Sequence, residues 1–258
     1  AQGFKEVVLT GIHLSSYGVD RSPYKQFVEL KGQPLVELMK KMDTIDGIER
    51  IRLGSLEPRI ICDEFLKELK KVTKFCPHFH LSLQSGCDTT LKRMNRHYTA
   101  VEYLEKCEKI RGFYEHPAIT TDVIVGFPGE TYEEFKDTLS LIKEVEFTSL
   151  FTFIYSPREG TKAASMEDPV TKDEKSRWFK ELCDLQESIA SKRTAKMKDN
   201  IYKVFVESES KNHPGMLSGR TEGNIIIEFS GDSSLIGSFR NVKVTEPLNW
   251  ILKGELQQ

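Results

Sequence analysis

Five short apolar runs each end in small or polar residues, and those ends are where chemistry could sit. They are Thr10-Gly11-Ile12-His13, Gly54-Ser55-Leu56-Glu57, Gln84-Ser85-Gly86, Gly126-Phe127-Pro128-Gly129-Glu130 and Ser156-Pro157-Arg158. In a parallel barrel such strand ends gather on one face and build one site from several loops. Gly126 and Gly129 let the backbone approach a ligand closely. No Gly-Lys-Ser/Thr follows them, which argues against a cradle for a nucleoside triphosphate. Arg93 and Arg96 can pair with a carboxylate or a phosphate; the plainer alternative is two solvated arginines on a short helix. His78 and His80 alternate along one run and so share a side, but a metal site needs further ligands and none is evident. His13 and His97 are equally unsupported as ligands, and no Ser/His/Asp set can be ordered.

The elements that must carry these loops are legible as alternation. Glu6–Gly11, Ile51–Leu53, Phe79–Leu83, Ile119–Val125 and Leu150–Tyr155 read as strands. The fourth is β-branched with one charge, Asp122, as a strand buried on both faces should be. Between them, Pro34 opens a helix through Met42, and Phe65, Leu66, Leu69 and Val72 mark a second. Asp88 is placed to cap a short helix through Met94. Thr99 with Glu102, Thr131 with Glu134 and Thr171 with Glu174 form capping boxes for three longer ones. The loop Gly11–Gly32, with Gly18 and Pro23, reads as long and polar. The β-α alternation predicts a parallel α/β barrel or a doubly wound sheet. The last helix ends in Lys192, Arg193, Lys196 and Lys198. Beyond it Tyr202–Val206, Asn224–Phe229, Val242–Val244 and Leu248–Leu256 read as strands among glycine turns, a small antiparallel barrel. The boundary falls near Met197, giving domains 1–197 and 198–258.

Composition narrows the partners. The chain has 258 residues and a formal net charge of −2, so no global basic field draws it to nucleic acid. Residues 194–258 carry eight Lys/Arg against eight Asp/Glu, which gives a purely electrostatic RNA-binding module little support. There is no run of 18 apolar residues and no signal peptide, and the expectation is a cytoplasmic protein without a membrane partner. Cys62, Cys76, Cys87, Cys107 and Cys183 are scattered, with no Cys-x-x-Cys pair, and fit neither a disulfide framework nor a zinc site. A domain opening on a buried strand at Glu6 exposes that strand's edge, so the sequence reads as the later part of something longer.

Three stretches in order resemble the radical S-adenosylmethionine methylthiotransferases. They are Leu81–Asp88 with Leu91–Thr99, then Thr121–Thr131, then Tyr155–Ala164. The C-terminal barrel resembles that family's TRAM domain, an RNA-binding module. Val8-Leu9-Thr10-Gly11-Ile12-His13-Leu14-Ser15-Ser16-Tyr17-Gly18 is most similar to the subfamily acting on N6-threonylcarbamoyladenosine beside the tRNA anticodon; isopentenyladenosine and ribosomal-protein subfamilies are the alternatives, and a non-catalytic RNA-binding fragment is a third.

The resemblance implies a partial barrel followed by an OB-like TRAM barrel, tRNA as partner, a reductant such as flavodoxin or ferredoxin, and a monomer. It implies S-adenosylmethionine as cofactor, with two 4Fe-4S clusters in the complete enzyme. One cluster cleaves the cofactor reductively to a 5′-deoxyadenosyl radical and the second delivers sulfur. Gln84, Ser85 and Arg96 would hold the cofactor's ribose and methionyl ends. Val125, Gly126 and Phe127 would flank its adenine with Tyr155 nearby, and Gly11 and Ser55 complete the set at the other strand ends. Lys192, Arg193, Lys196 and Lys198 are the candidate RNA contacts. The family's Cys-x-x-x-Cys-x-x-Cys loop is absent, none of the five cysteines matches it, and this chain alone is expected to be inactive and to hold no metal. Ser82 and Cys87 are smaller departures from the family pattern.

Overall fold

All three Thr-x-x-Glu boxes form as written. Thr99, Thr131 and Thr171 each accept from the backbone N–H three residues on, and Glu102, Glu134 and Glu174 each reach back to the cap. These open α4 (Ala100–Phe113), α5 (Tyr132–Val145) and α6 (Lys172–Ala195). Such reciprocal pairs satisfy two of the orphan donors at a helix start. The computed structural model describes residues 3–19, 30–211 and 213–257. Pro23 lies outside them.

The first domain runs β1 (Glu6–Leu9), α1 (Gln33–Asp43), β2 (Arg50–Leu53), β3 (Ser55–Leu56), α2 (Asp63–Leu69), β4 (His78–Leu81), α3 (Asp88–Arg93), then α4, β5 (Ala118–Val125), α5 and β6 (Ser149–Ile154), closing on α6. All strand pairs are parallel: β1 with β2, and β3-β4-β5-β6 in sequence order. Gly54 divides β2 from β3. A Cβ there would lie 3.2 Å from the Leu9 carbonyl oxygen, whose bond to the Gly54 N–H is 2.8 Å. The result is an incomplete parallel α/β barrel with helices outside. Leu35, Met39, Phe65, Leu69, Tyr103, Phe135 and Ile142 pack beneath the sheet with no or almost no exposure. Trp178 of α6 stacks on Phe135, centroids 5.5 Å apart. Asp88 does not cap α3; its carboxylate instead accepts the Ala100 N–H at 2.7 Å and fixes the start of α4.

The second domain is a closed barrel of β7 (Ile201–Glu209), β8 (Met216–Arg220), β9 (Ile226–Ser230), β10 (Phe239–Pro247) and β11 (Ile251–Leu256), in the order β10-β11-β9-β8-β7. It is antiparallel except between β9 and β11, which run parallel. β8 is the strand the sequence hid, because Gly215, Ser218 and Gly219 look like a turn. Gly219 is needed within it: a Cβ there would sit 2.3 Å from the Phe205 carbonyl oxygen. Val204, Val206, Leu217, Ile227, Phe229, Val242 and Leu252 fill the interior.

This barrel sits under the N-terminal ends of the parallel strands, opposite the loops of interest. Arg50 opens β2 and donates to the carbonyls of Arg220 (3.0 Å) and Lys203 (2.5 Å). Arg52 donates to those of Glu222 and Thr221, both at 2.6 Å, and its Nε to Glu6 at 2.8 Å. Both guanidinium stems are almost fully buried. Arg50 also lies over the Phe239 ring at 4.7 Å.

Candidate functional site

The face formed by the strand C-termini is built around the turn after β5. Gly126 has φ +71 and Gly129 φ +77, left-handed values that favour glycine. Glu130 is buried beneath the turn, and its Oε2 accepts the N–H groups of Gly126 (2.6 Å) and Phe127 (3.2 Å). Burial pushes this carboxyl up to about 7, against the pull of those two donors and of Arg93. Arg93 itself is held by Glu134 at 2.6 Å and by Thr90 at 3.0 Å. Glu130 was legible only as part of a strand-ending loop; nothing in its spacing says that it fastens the turn.

Lys175 of α6 is the other unforeseen member. It is buried, its Nζ pairs with Asp168 at 2.5 Å, and it lies 5.8 Å from the Tyr155 ring centroid. Its methylenes cover Gly126. Tyr155 packs edge-on against Phe127 at 5.2 Å, and its hydroxyl is buried with no hydrogen-bond partner among the described residues. In the sequence Lys175 is one polar position in the first turn of a long helix.

The expected site residues divide by what they face. Gly11 and Ser55 are exposed at the ends of β1 and β3, with Ser55 facing the lumen beside His80. Gln84 has φ +74 and is locked to β5: its N–H bonds the Asp122 carbonyl and its carbonyl accepts the Ile124 N–H. Arg96 is exposed and makes no side-chain hydrogen bond or ion pair among the described residues. Phe127 and Tyr155 face each other at the turn. Ser85 points elsewhere: its Oγ meets Thr138 of α5 at 3.2 Å and accepts the Cys87 N–H, while Gly86 donates to the same threonine. Its side chain thus binds loop to helix. The Val125 side chain lies in the core behind the sheet, and its carbonyl is taken by the Tyr155 N–H at 2.8 Å. Of the four basic residues ending α6, Lys192, Lys196 and Lys198 are exposed. Arg193 is half-buried and donates to the Glu146 carbonyl at 3.1 Å, at the C-terminus of α5.

The rim beyond β1 and β3 is polar. Glu57 accepts from His13 Nε2 at 3.0 Å and from Arg59, and its N–H donates to Ser15 Oγ at 2.8 Å. The hydrogen bonds from Arg59 and His13 hold the Glu57 carboxyl below its usual range despite burial. The cysteines do not converge. Cys62 caps α2 through its sulfur, and burial pushes Cys76 up to about 11 and Cys107 to about 12, away from thiolate. Among the described residues no three His, Cys, Asp or Glu side chains could hold a metal ion. No helix among them is long and apolar enough to cross a membrane.

Residues 2–142 match the model of the radical SAM superfamily, and residues 196–257 that of the TRAM domain. Proteins named tRNA-2-methylthio-N(6)-dimethylallyladenosine synthase are similar along almost the whole chain. That of Clostridium tetani is 42% identical over 253 residues, 98% of this chain and 54% of the relative. That of Thermoanaerobacter sp. strain X514 is 42% identical over 255 residues, 99% of this chain and 52% of the relative. The chain thus spans about half the length of the curated relatives it matches. Among solved structures, coproporphyrinogen III oxidase from Escherichia coli shares the fold with a TM-score of 0.50 at 14% identity, over 74% of this chain and 51% of that one. A parallel barrel with its loops gathered on one face, a five-stranded barrel beneath it and a superfamily match over most of the first domain lead to one conclusion: the chain belongs to the radical SAM superfamily and carries a TRAM domain.

Proposed function

We propose that this chain is the barrel and TRAM part of a tRNA methylthiotransferase acting on N6-threonylcarbamoyladenosine. The names of its relatives support methylthio transfer to a modified adenosine of tRNA. The polar rim carries the choice of substrate. His13, Ser15, Glu57 and Arg59 crowd the mouth with hydrogen-bonding groups, which suits a substituent ending in a hydroxyl and a carboxylate. A second reading, dimethylallyladenosine, is favoured by the relatives' names and by the exposed apolar Ile12 and Phe153. Nucleoside analysis of total tRNA from a deletion strain decides: loss of the methylthio form of threonylcarbamoyladenosine supports the first reading, and loss of the dimethylallyl counterpart overturns it.

The residues present fit S-adenosylmethionine. The Arg96 guanidinium is free to pair with a methionyl carboxylate, and Gln84 and Gly126 hold left-handed backbone at the mouth. The buried, unpartnered Tyr155 hydroxyl needs an acceptor or donor that a bound ligand would bring. When bound, the cofactor supplies a carbon radical and a methyl group. This chain's part is to orient it with Arg96 and the 126–127 turn. The same residues do not fit an iron–sulfur cluster, because the thiols are dispersed and two are held protonated by burial. Lys192, Lys196 and Lys198 at the α6 terminus are the proposed tRNA-backbone contacts, beside the TRAM barrel.

A further inference from the structure

The lumen of the first domain has an aromatic wall and, beside it, a carboxylate with an oxygen to spare. Asp122 of β5 and Phe151 of β6 are cross-strand partners, and Ile124 and Phe153 repeat the pairing two residues on. Side chains two apart on a strand share a face, so Phe151 and Phe153 stand on the side that Asp122 faces. Both rings are half exposed, as is Val8 of β1. Phe151 packs edge-on against His80, centroids 5.4 Å apart. A cavity of about 440 Å³ opens here, with Val8, Leu53, Ser55, His80, Asp122 and Phe151 in its walls, and reaches down to Arg220 and Asn224 of the TRAM barrel.

The other charges on the cavity wall are matched among themselves. Arg52 pairs with Glu6 at 2.8 Å and Arg220 with Glu207 at 3.2 Å. Asp122 Oδ2 lies 3.1 Å from His80 Nε2, and His80 Nδ1 lies 3.0 Å from Thr120 Oγ1. A carboxylate only accepts, so the His80 Nε2–H donates to it and fixes its orientation. Asp122 Oδ1 has no hydrogen bond or ion pair among the described residues, and 26% of the side chain is exposed. A fixed acceptor beside an aromatic wall suits a planar heteroaromatic ring with an N–H at its edge. Enzymes that act on a nucleobase read it in this way once it has left its stack, by packing on an aromatic or apolar side chain and by hydrogen bonds to its edge.

We propose that the lumen is a pocket for one adenine base drawn out of the RNA, with the ring packed on Phe151 and the N6–H donated to Asp122 Oδ1. The relatives are named for a 2-methylthio group on an N6-substituted adenosine. Such a base keeps one proton on N6, and Asp122 is the acceptor for it. The contact stops the ring from turning in its own plane, and so decides which ring atom is presented to the mouth. It accepts a base with one N6 substituent and rejects one with two, whose nitrogen has no proton left. The choice of adenine rests on the methylthiotransferase reading; the match of acceptor and aromatic wall to a base with an edge donor does not.

The test uses this chain and fluorescein-tagged ribonucleotide pentamers U-U-X-U-U, where X is adenosine, N6-methyladenosine, N6,N6-dimethyladenosine or purine riboside. Anisotropy reads affinity, and NMR of ¹³C-labelled phenylalanine reads whether the base reaches Phe151. Adenosine and N6-methyladenosine should bind alike and shift the Phe151 ring signals. The dimethyl base, which has no N6 proton, and purine riboside, which has no N6, should each bind about tenfold more weakly. Purine riboside binding as well as adenosine, or a silent Phe151, overturns the pocket. This comparison needs no variant, so it stands whether or not a substitution folds. In Asp122→Asn the amide oxygen takes the His80 proton and the NH₂ faces the base, so the preference for adenosine over purine riboside should vanish. A preference that survives overturns Asp122 as the reader. Phe151→Leu should weaken both ligands by the same factor; unchanged affinity overturns the wall. Nucleoside analysis of the deletion strain tests the function separately. Unchanged methylthio nucleosides there, beside the base preference stated here, would sink the functional reading and leave the pocket standing.

Discussion

Lys175 occupies the space that a side chain on Gly126 would need: its Cδ lies 2.5 Å, and its Cγ 2.6 Å, from where a Cβ would be. The glycine of the β5 turn is therefore required twice, by its φ of +71 and by a buried lysine from α6. Gly126→Ala should cost about 1–3 kcal/mol, combining left-handed strain with displacement of Lys175. In a Lys175→Ala background the same change should cost about 1 kcal/mol less. Thermal melts of the four proteins check this, and identical costs in both backgrounds would show that the contact carries no energy.

Glu130 gives the turn a pH dependence of definite sign. Its carboxyl is raised from 4.5 to about 7 in the folded chain. A raised acid favours folding fully below its unfolded value, and that contribution drains away as pH climbs from about 4.5 through about 7. Glu130→Gln keeps an oxygen for the Gly126 and Phe127 N–H groups and removes the charge. The difference in stability, variant minus wild type, should grow by up to about 3 kcal/mol across that interval. Denaturant titrations at pH 4, 6 and 8 read it directly. Glu130→Ala should be destabilised at every pH, because two buried N–H groups lose their acceptor.

The basic end of α6 should behave as two kinds of residue. Lys192, Lys196 and Lys198 reach water, so changing all three to glutamine should leave the melt within about 0.5 kcal/mol. The log–log salt slope of tRNA binding should become shallower by up to about 0.7–0.9 for each phosphate no longer neutralised. Arg193→Gln should do the opposite. It unties the Glu146 carbonyl and should lower stability by about 1–2 kcal/mol with little change in slope. A large slope change from Arg193 alone would reverse the assignment.

Arg50 and Arg52 join the domains chiefly through backbone carbonyls, with the Phe239 ring under Arg50 as a side-chain contact from the TRAM side. Arg50→Met or Arg52→Met strands two buried or half-buried carbonyls each, an expected loss of about 2–4 kcal/mol. Calorimetry should then resolve two transitions where the wild type shows one, since neither barrel core is touched. Lysine at either position should rescue little, because one ammonium cannot match the fork.

What could be read from the sequence was whatever is local. The Thr-x-x-Glu boxes announce α4, α5 and α6 because cap and partner lie three residues apart. β5 announces itself by its β-branched run. β8 stayed hidden because Gly219 answers to Phe205 on a neighbouring strand, a requirement that turns and strands state in the same letters. Ser85 lies in a loop of the candidate face and Val125 ends the strand that leads into it, but residue type does not reveal which way a side chain turns. Ser85 turned to Thr138 and Val125 into the core. Lys175 and Glu130, which hold the turn from behind, sit at positions whose partners are fixed only once α6 packs on the sheet. His78 and His80 share a side as their alternation required. Their common partner, Thr120, comes from a strand 40 residues on from His80.

α6 runs from the mouth, where Lys175 covers Gly126, to the TRAM barrel, where its exposed lysines end. Its 24 residues, at 1.5 Å each, span about 36 Å. A rod of fixed length separates the two places. If tRNA is held at these lysines, as proposed, the mouth would meet only a base lying about that far along its path.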